Sequence, residues 1–106
     1  MRNTGYTRIP DLLIQTMKTA DAAQAERLFE DADLCADRMT ALLVCMGEAM
    51  EESRDTTDTP PDKLRDIGAS LALTVEIIRG MYDVVDVYRQ RQIAGELPVF
   101  RGGRHV

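Results

Sequence analysis

The sequence has no tryptophan, one histidine and two cysteines among its 106 residues. Each scarcity removes a class of chemistry. The single histidine, His105, is the penultimate residue. A general base has to be held in place, and nothing around His105 promises to hold it. No Ser/His/Asp or Cys/His arrangement can be assembled from the remaining residues, and no glycine-rich phosphate loop is present. Two cysteines make no disulfide framework. Cys35 and Cys45 fall ten residues apart on one predicted helix, about 15 Å along its axis, too far for a bridge. Both therefore read as reduced thiols, which points to a cytoplasmic location. Aromatic residues make up only 5% of the chain, so the core must be aliphatic, with methionine as filler. Apolar runs fall far short of the roughly 20 residues that a membrane span requires. Residues 1–5, Met-Arg-Asn-Thr-Gly, lead into no apolar segment of the secretory type.

What the sequence has instead is heptad periodicity. Ala25, Ala32, Met39 and Met46 sit seven apart, as do Leu28, Cys35, Leu42 and Ala49, and as do Phe29, Ala36, Leu43 and Met50. Three adjacent apolar rows make a face broad enough for a bundle core rather than for a two-stranded seam. Charged residues Glu26, Glu30, Asp33, Asp37, Glu48 and Glu51 occupy the other side, which predicts a long helix over 21–54. Gly47 lies on that outer side, where glycine costs about 1 kcal/mol against alanine.

The flanking elements follow from breakers and caps. Residues 1–9 read as an irregular arm. Pro10 suits the first turn of a short helix over 10–18. A bend near Thr19 is favoured over one continuous helix, because Asp21 with Gln24 has the form of a capping box. The run Asp55 to Pro60 breaks the long helix. Thr59 is placed to cap a second long helix over 60–94, with prolines in its first turn. In that helix Leu64, Leu71, Ile78 and Val85 form one row, and Ile67, Thr74, Met81 and Tyr88 another. Arg65, Glu76, Arg79, Asp83, Asp86 and Gln90 form a polar strip opposite. Gly95 ends the helix. A basic tail follows over 95–106, in which Leu97, Val99 and Phe100 are apolar enough to dock.

A connection over 55–60 makes the long helices antiparallel neighbours. The predicted fold is all-α: an antiparallel long-helix hairpin with a short N-terminal helix, in one domain. Leu73, Val75, Ile77, Tyr82, Val84 and Val87 add apolar surface on both flanks of the second helix, more than one neighbour can cover. The expected remedy is dimerisation, giving a four-helix-type bundle from two hairpins. The flank formed by Ile77, Met81, Tyr82, Val84 and Tyr88 is the expected contact surface.

Charge refines the choice of partner. The net charge is −5 overall. Residues 19–60 hold eleven acids and three bases, a net of −8, while 89–106 hold four arginines and one acid, a net of +3. The acidic stretch repels phosphate and disfavours nucleic acid as the main partner. Arg89, Arg91, Arg101 and Arg104 are the candidates for an electrostatic contact, and a small regulator touching nucleic acid through this end is the alternative reading. Arg101-Gly-Gly-Arg104 resembles a short RGG element, in a single copy.

Sulfur and carboxylate side chains are the remaining candidates for metal chemistry. Cys35, Met39 and Met46 are soft ligands suited to Cu(I), but they occupy core positions, where Cys and Met are ordinary. Di-metal bundles need inward carboxylates with Glu-x-x-His pairs, and the sequence has none. No cofactor or metal is expected. Small helical dimers also include mutases of the chorismate mutase type, with an arginine-lined pocket for which Arg27, Arg38 and Arg89 to Gln92 are the candidates. That site also needs a lysine from the long helix, and residues 21–54 contain none. The resulting expectation is a small protein–protein interaction module, adaptor or chaperone-like, without catalytic activity. Its partners would be a second copy of itself and, beyond that, another helical protein, with no membrane contact. A mutase-type enzyme ranks third.

Overall fold

Local chemistry sets the three helix boundaries. In a computed structural model, which describes residues 7–52 and 60–98, the chain forms α1 (Ile9–Thr19), α2 (Ala22–Glu52) and α3 (Pro61–Ile93), with no strand among the described residues. Pro10 occupies the first turn of α1, where its missing N–H would have had no helical partner. The Thr7 hydroxyl accepts from the Ile9 N–H at 3.2 Å. At the other end Ala20 is extended (φ −67°, ψ 146°). The Asp21 carboxylate accepts from the Gln24 N–H at 2.8 Å, and the Asp21 carbonyl accepts from Ala25 at 2.8 Å. Asp21 thus starts a new helix, and the described residues 10–52 form two helices rather than one.

The start of α3 corrects one sequence expectation. Pro60, not Thr59, holds the N-cap position, and it makes no side-chain cap bond. Its carbonyl accepts from the Leu64 N–H at 3.1 Å. Thr59 lies outside the described residues. The end of α3 is a Schellman motif. Gly95 takes φ +83°, the Glu96 N–H reaches the Arg91 carbonyl at 2.9 Å, and the Gly95 N–H reaches that of Gln92 at 3.0 Å. The Glu96 carboxylate also pairs with Arg91 Nε at 2.9 Å. A hydrophobic contact commonly closes this motif, and here an ion pair takes that place. Beyond it the chain folds back: Leu97 is buried, and Gln92 Nε2 donates to the Pro98 carbonyl at 2.7 Å. Val99 and Phe100 lie outside the described residues.

α3 is the central element. α2 runs antiparallel to it: the Phe29 and Tyr88 rings stack at 4.4 Å near one end, and Leu43 and Met46 share a groove with Ile67 and Leu71 toward the other. α1 runs parallel to α3, with Pro10 against Gly80 and the Met17 and Ala20 carbonyls at Arg91. Gly80 is required here. A Cβ at this position would lie 2.2 Å from Pro10 Cβ, well inside contact distance.

The core is lopsided. Its buried members on α2 are Ala25, Ala32 and Ala36, and those on α3 run from Ile78 to Tyr88, with Met17 and Ala20 from the α1 end and Leu97 from the tail. The heptad rows continue past this core without cover. Met46 and Met50 on α2 and Leu64 and Ile67 on α3 are all exposed. The Cα radius of gyration is 17.8 Å, against about 13 Å for a compact chain of this length. Among the described residues the hairpin is closed at one end by α1 and open at the other.

Candidate interaction surface

The closed end uses its apolar surface within the chain. Val84 is fully buried, and Met81 and Tyr88 nearly so. These three residues belong to the flank that the sequence offered as a contact surface, and their surface is already covered. α1 lies along the face of α3 that carries Gly80 and Arg91, while the alanine face of α2 admits the Tyr88 ring beside Phe29. Small side chains on one helix let another approach closely enough to bury large ones. Of the five residues, Ile77 is half-buried against the core, and Tyr82, 48% exposed, presents surface.

Arg91 holds this end together. One of its guanidinium nitrogens donates to the Met17 carbonyl at 2.7 Å and to the Ala20 carbonyl at 2.8 Å. These carbonyls belong to the last turn and C-cap of α1, where acceptors have no helical partner and a cation is favoured by the helix dipole. Its Nε binds Glu96 at the same time. Arg91 is therefore committed within the fold rather than offered to an outside phosphate. Arg89 is exposed. Arg101, Arg104 and His105 lie outside the described residues.

The open end is different in kind. Residues 39–47 on α2 carry no charged side chain, and neither do residues 67–75 on α3. In the antiparallel hairpin these two stretches lie side by side, because Leu43 and Met46 meet Ile67 and Leu71. They make a belt about 13 Å tall at 1.5 Å per residue. Leu42, Val44, Leu73 and Val75 in this belt are exposed, Leu42 at 55%. A helix without charge on any side is one that tends to be buried, yet Leu42, Met46, Ile67 and Leu73 are left exposed by the described residues. A groove of about 310 Å³ runs along the belt, lined by Leu42, Leu43, Met46, Asp66, Ile67, Ser70, Leu71 and Thr74. Heptad analysis missed this feature because it counts positions on one face. The signal lay in the positions of the nearest charges, Arg38 and Glu48 on α2 and Asp66 and Glu76 on α3, which bracket the belt on both helices.

Two smaller features carry less chemistry. A shallow hollow of about 280 Å³ is lined by Phe29, Glu30, Asp33, Leu34, Asp37 and Tyr82. Its carboxylates are exposed. Cys35 is half-buried, and its thiol donates to the Met39 sulfur at 3.5 Å, a contact between neighbours one helical turn apart. Cys45 is exposed. Met46 lines the groove instead of joining them. No group of three His, Cys, Asp or Glu residues is positioned to hold a metal ion among the described residues. No described helix is long and apolar enough to cross a membrane. No protein-family model, curated protein or solved structure matches this chain.

Proposed function

We propose that this chain is a helical interaction module, an adaptor or chaperone-like protein without catalytic activity, which works by presenting the open end of its hairpin to other helices. The observation that carries this reading is the uncharged belt of residues 39–47 and 67–75, exposed on both helices at one level. Contiguous exposed apolar surface of this kind marks a protein contact. The belt is too short for a membrane span, so the cover it needs is protein. Helix-in-groove docking suits the Leu42–Met46 edge facing Ile67 and Leu71. Met46 and Met50 at this end add adaptable surface, and the free thiols of Cys35 and Cys45 fit a reducing compartment such as the cytoplasm.

The reading moves the contact surface from the C-terminal half of α3 to its N-terminal half. Dimerisation, which would complete a four-helix bundle, becomes an association of open ends. The nucleic-acid alternative loses Arg91, one of its four candidate arginines, to the α1 carbonyls.

Light scattering on a sizing column tests the reading, with the wild type compared to Leu42→Glu. A wild-type mass near twice 11.9 kDa that falls to the monomer value in the variant, with unchanged helical circular dichroism, is the expected result. A wild-type monomer that binds neither a hydrophobic dye nor an amphipathic helical peptide would overturn the module reading.

A further inference from the structure

Arg91 ties together two parts of the chain that are far apart in sequence. One terminal nitrogen serves the Met17 and Ala20 carbonyls at the end of α1, and Nε serves the Glu96 carboxylate at 2.9 Å. A guanidinium is planar and rigid, so a partner on Nε fixes where the terminal nitrogens point. Glu96 is fixed in turn by the reversal at Gly95, φ +83°, and by its own N–H on the Arg91 carbonyl. The turn is seated on α3 by buried Leu97 and by the Gln92 amide on the Pro98 carbonyl. α1 needs a hold of this kind. Its eleven residues are too few for a stable isolated helix. Only Pro10 and Met17 among them are buried, while Ile9 and Leu12 are exposed. The extended Ala20 separates α1 from α2, and rotation there would swing α1 off α3.

We propose that the turn at Gly95, Glu96 and Leu97 is a latch for α1. With the turn formed, Glu96 aims Arg91 at the α1 carbonyls. When the turn opens, Arg91 loses its orientation and α1 leaves α3. The turn and α1 therefore dock as one unit, although more than seventy residues separate them. Glu96 is a positioning residue: it touches Arg91 and acts on α1 through it. Its side chain is 57% exposed and that of Arg91 is 16% exposed. The latch can thus be worked from the surface while the contact it governs lies inside. Opening it uncovers the α3 face between Gly80 and Arg91, so the turn controls access to that face. This is a two-state element that both segments bias, which is the physical requirement for coupling between distant parts of a chain.

Amide exchange in residues 13–19, taken relative to that in residues 81–88, tests the latch. The ratio removes any loss of global stability, which speeds both segments alike. Glu96→Ala and Gly95→Ala are each measured alone and together with Arg91→Ala. A Cβ at residue 95 meets open space, so Gly95→Ala acts only by disfavouring the positive φ of the turn. The expected rise in the ratio is about fivefold for Glu96→Ala, the scale of one hydrogen bond, and about threefold for Gly95→Ala. Without Arg91 the α1 end is already free, and neither change should add more than about 1.5-fold. Lys18 lines the same hollow as Glu96. A direct pull of Glu96 on Lys18 would survive the loss of Arg91, so this background separates the two routes. Unchanged ratios in both single variants, or increases that persist in full beside Arg91→Ala, overturn the latch.

Discussion

The two ends of the hairpin carry the same heptad rows and put them to opposite uses. At the closed end α2 contributes Ala25, Ala32 and Ala36, and the bulk comes from Tyr88, Met81 and Met17 across the interface. At the open end the same rows carry Leu43, Met46 and Met50, and no third helix among the described residues lies over them. Small residues mark where a neighbour within the chain comes close, and large ones mark where no neighbour has arrived. Periodicity reports which face of a helix is apolar. Side-chain volume along that face, and charge around its back, report what covers it.

Substitutions at the closed end should show the larger effects. Tyr88 is the largest fully buried side chain and stacks on Phe29. Tyr88→Ala is expected to cost about 3–5 kcal/mol, as for other buried aromatics, and urea unfolding measures it. Arg91→Ala strips the Met17 and Ala20 carbonyls of their donor. A loss of about 1.5–3 kcal/mol is expected for charged hydrogen bonds, together with faster amide exchange in α1. If α1 stays protected, Arg91 does not hold it. Gly80→Ala forces Pro10 away from α3 and should cost about 1–3 kcal/mol through overpacking. Thermal unfolding of this variant, beside the same change at Gly47, sharpens the contrast between the ends. A Cβ at Gly47 meets open space, so Gly47→Ala should stabilise by about 1 kcal/mol through helix propensity alone. A destabilised Gly47→Ala would mean that a neighbouring helix presses on Gly47 itself, where the chain leaves open space.

Much of this architecture was legible in the sequence. Three apolar rows on α2 and two on α3, broken by a proline-containing segment, carried the all-helical hairpin. Asp21 with Gln24 carried the division between α1 and α2, and Gly95 the end of α3. The contact surface was less legible. Met81, Val84 and Tyr88 fall within the expected contact flank, because a row count cannot show where a short helix will dock. Two features placed α1 over them. One is a glycine at position 80 that admits Pro10. The other is an arginine at position 91 that reaches the carbonyls of Met17 and Ala20, more than seventy residues away in sequence. Such a long-range contact leaves no periodic trace. Arg91 shows the same limit: beside Arg89 it reads as tail charge, and in the fold it is only 16% exposed and fully engaged.

The central claim is that the belt is the surface through which this chain associates while the closed end is complete in one chain. Amide hydrogen exchange, measured at two protein concentrations on either side of the dissociation midpoint, tests it most directly. Raising the concentration should slow exchange in residues 39–47 and 67–75 and leave residues 80–91 unchanged, because only the belt gains cover. Equal exchange in the belt at both concentrations, or protection that rises with concentration at 80–91 instead, would contradict the account.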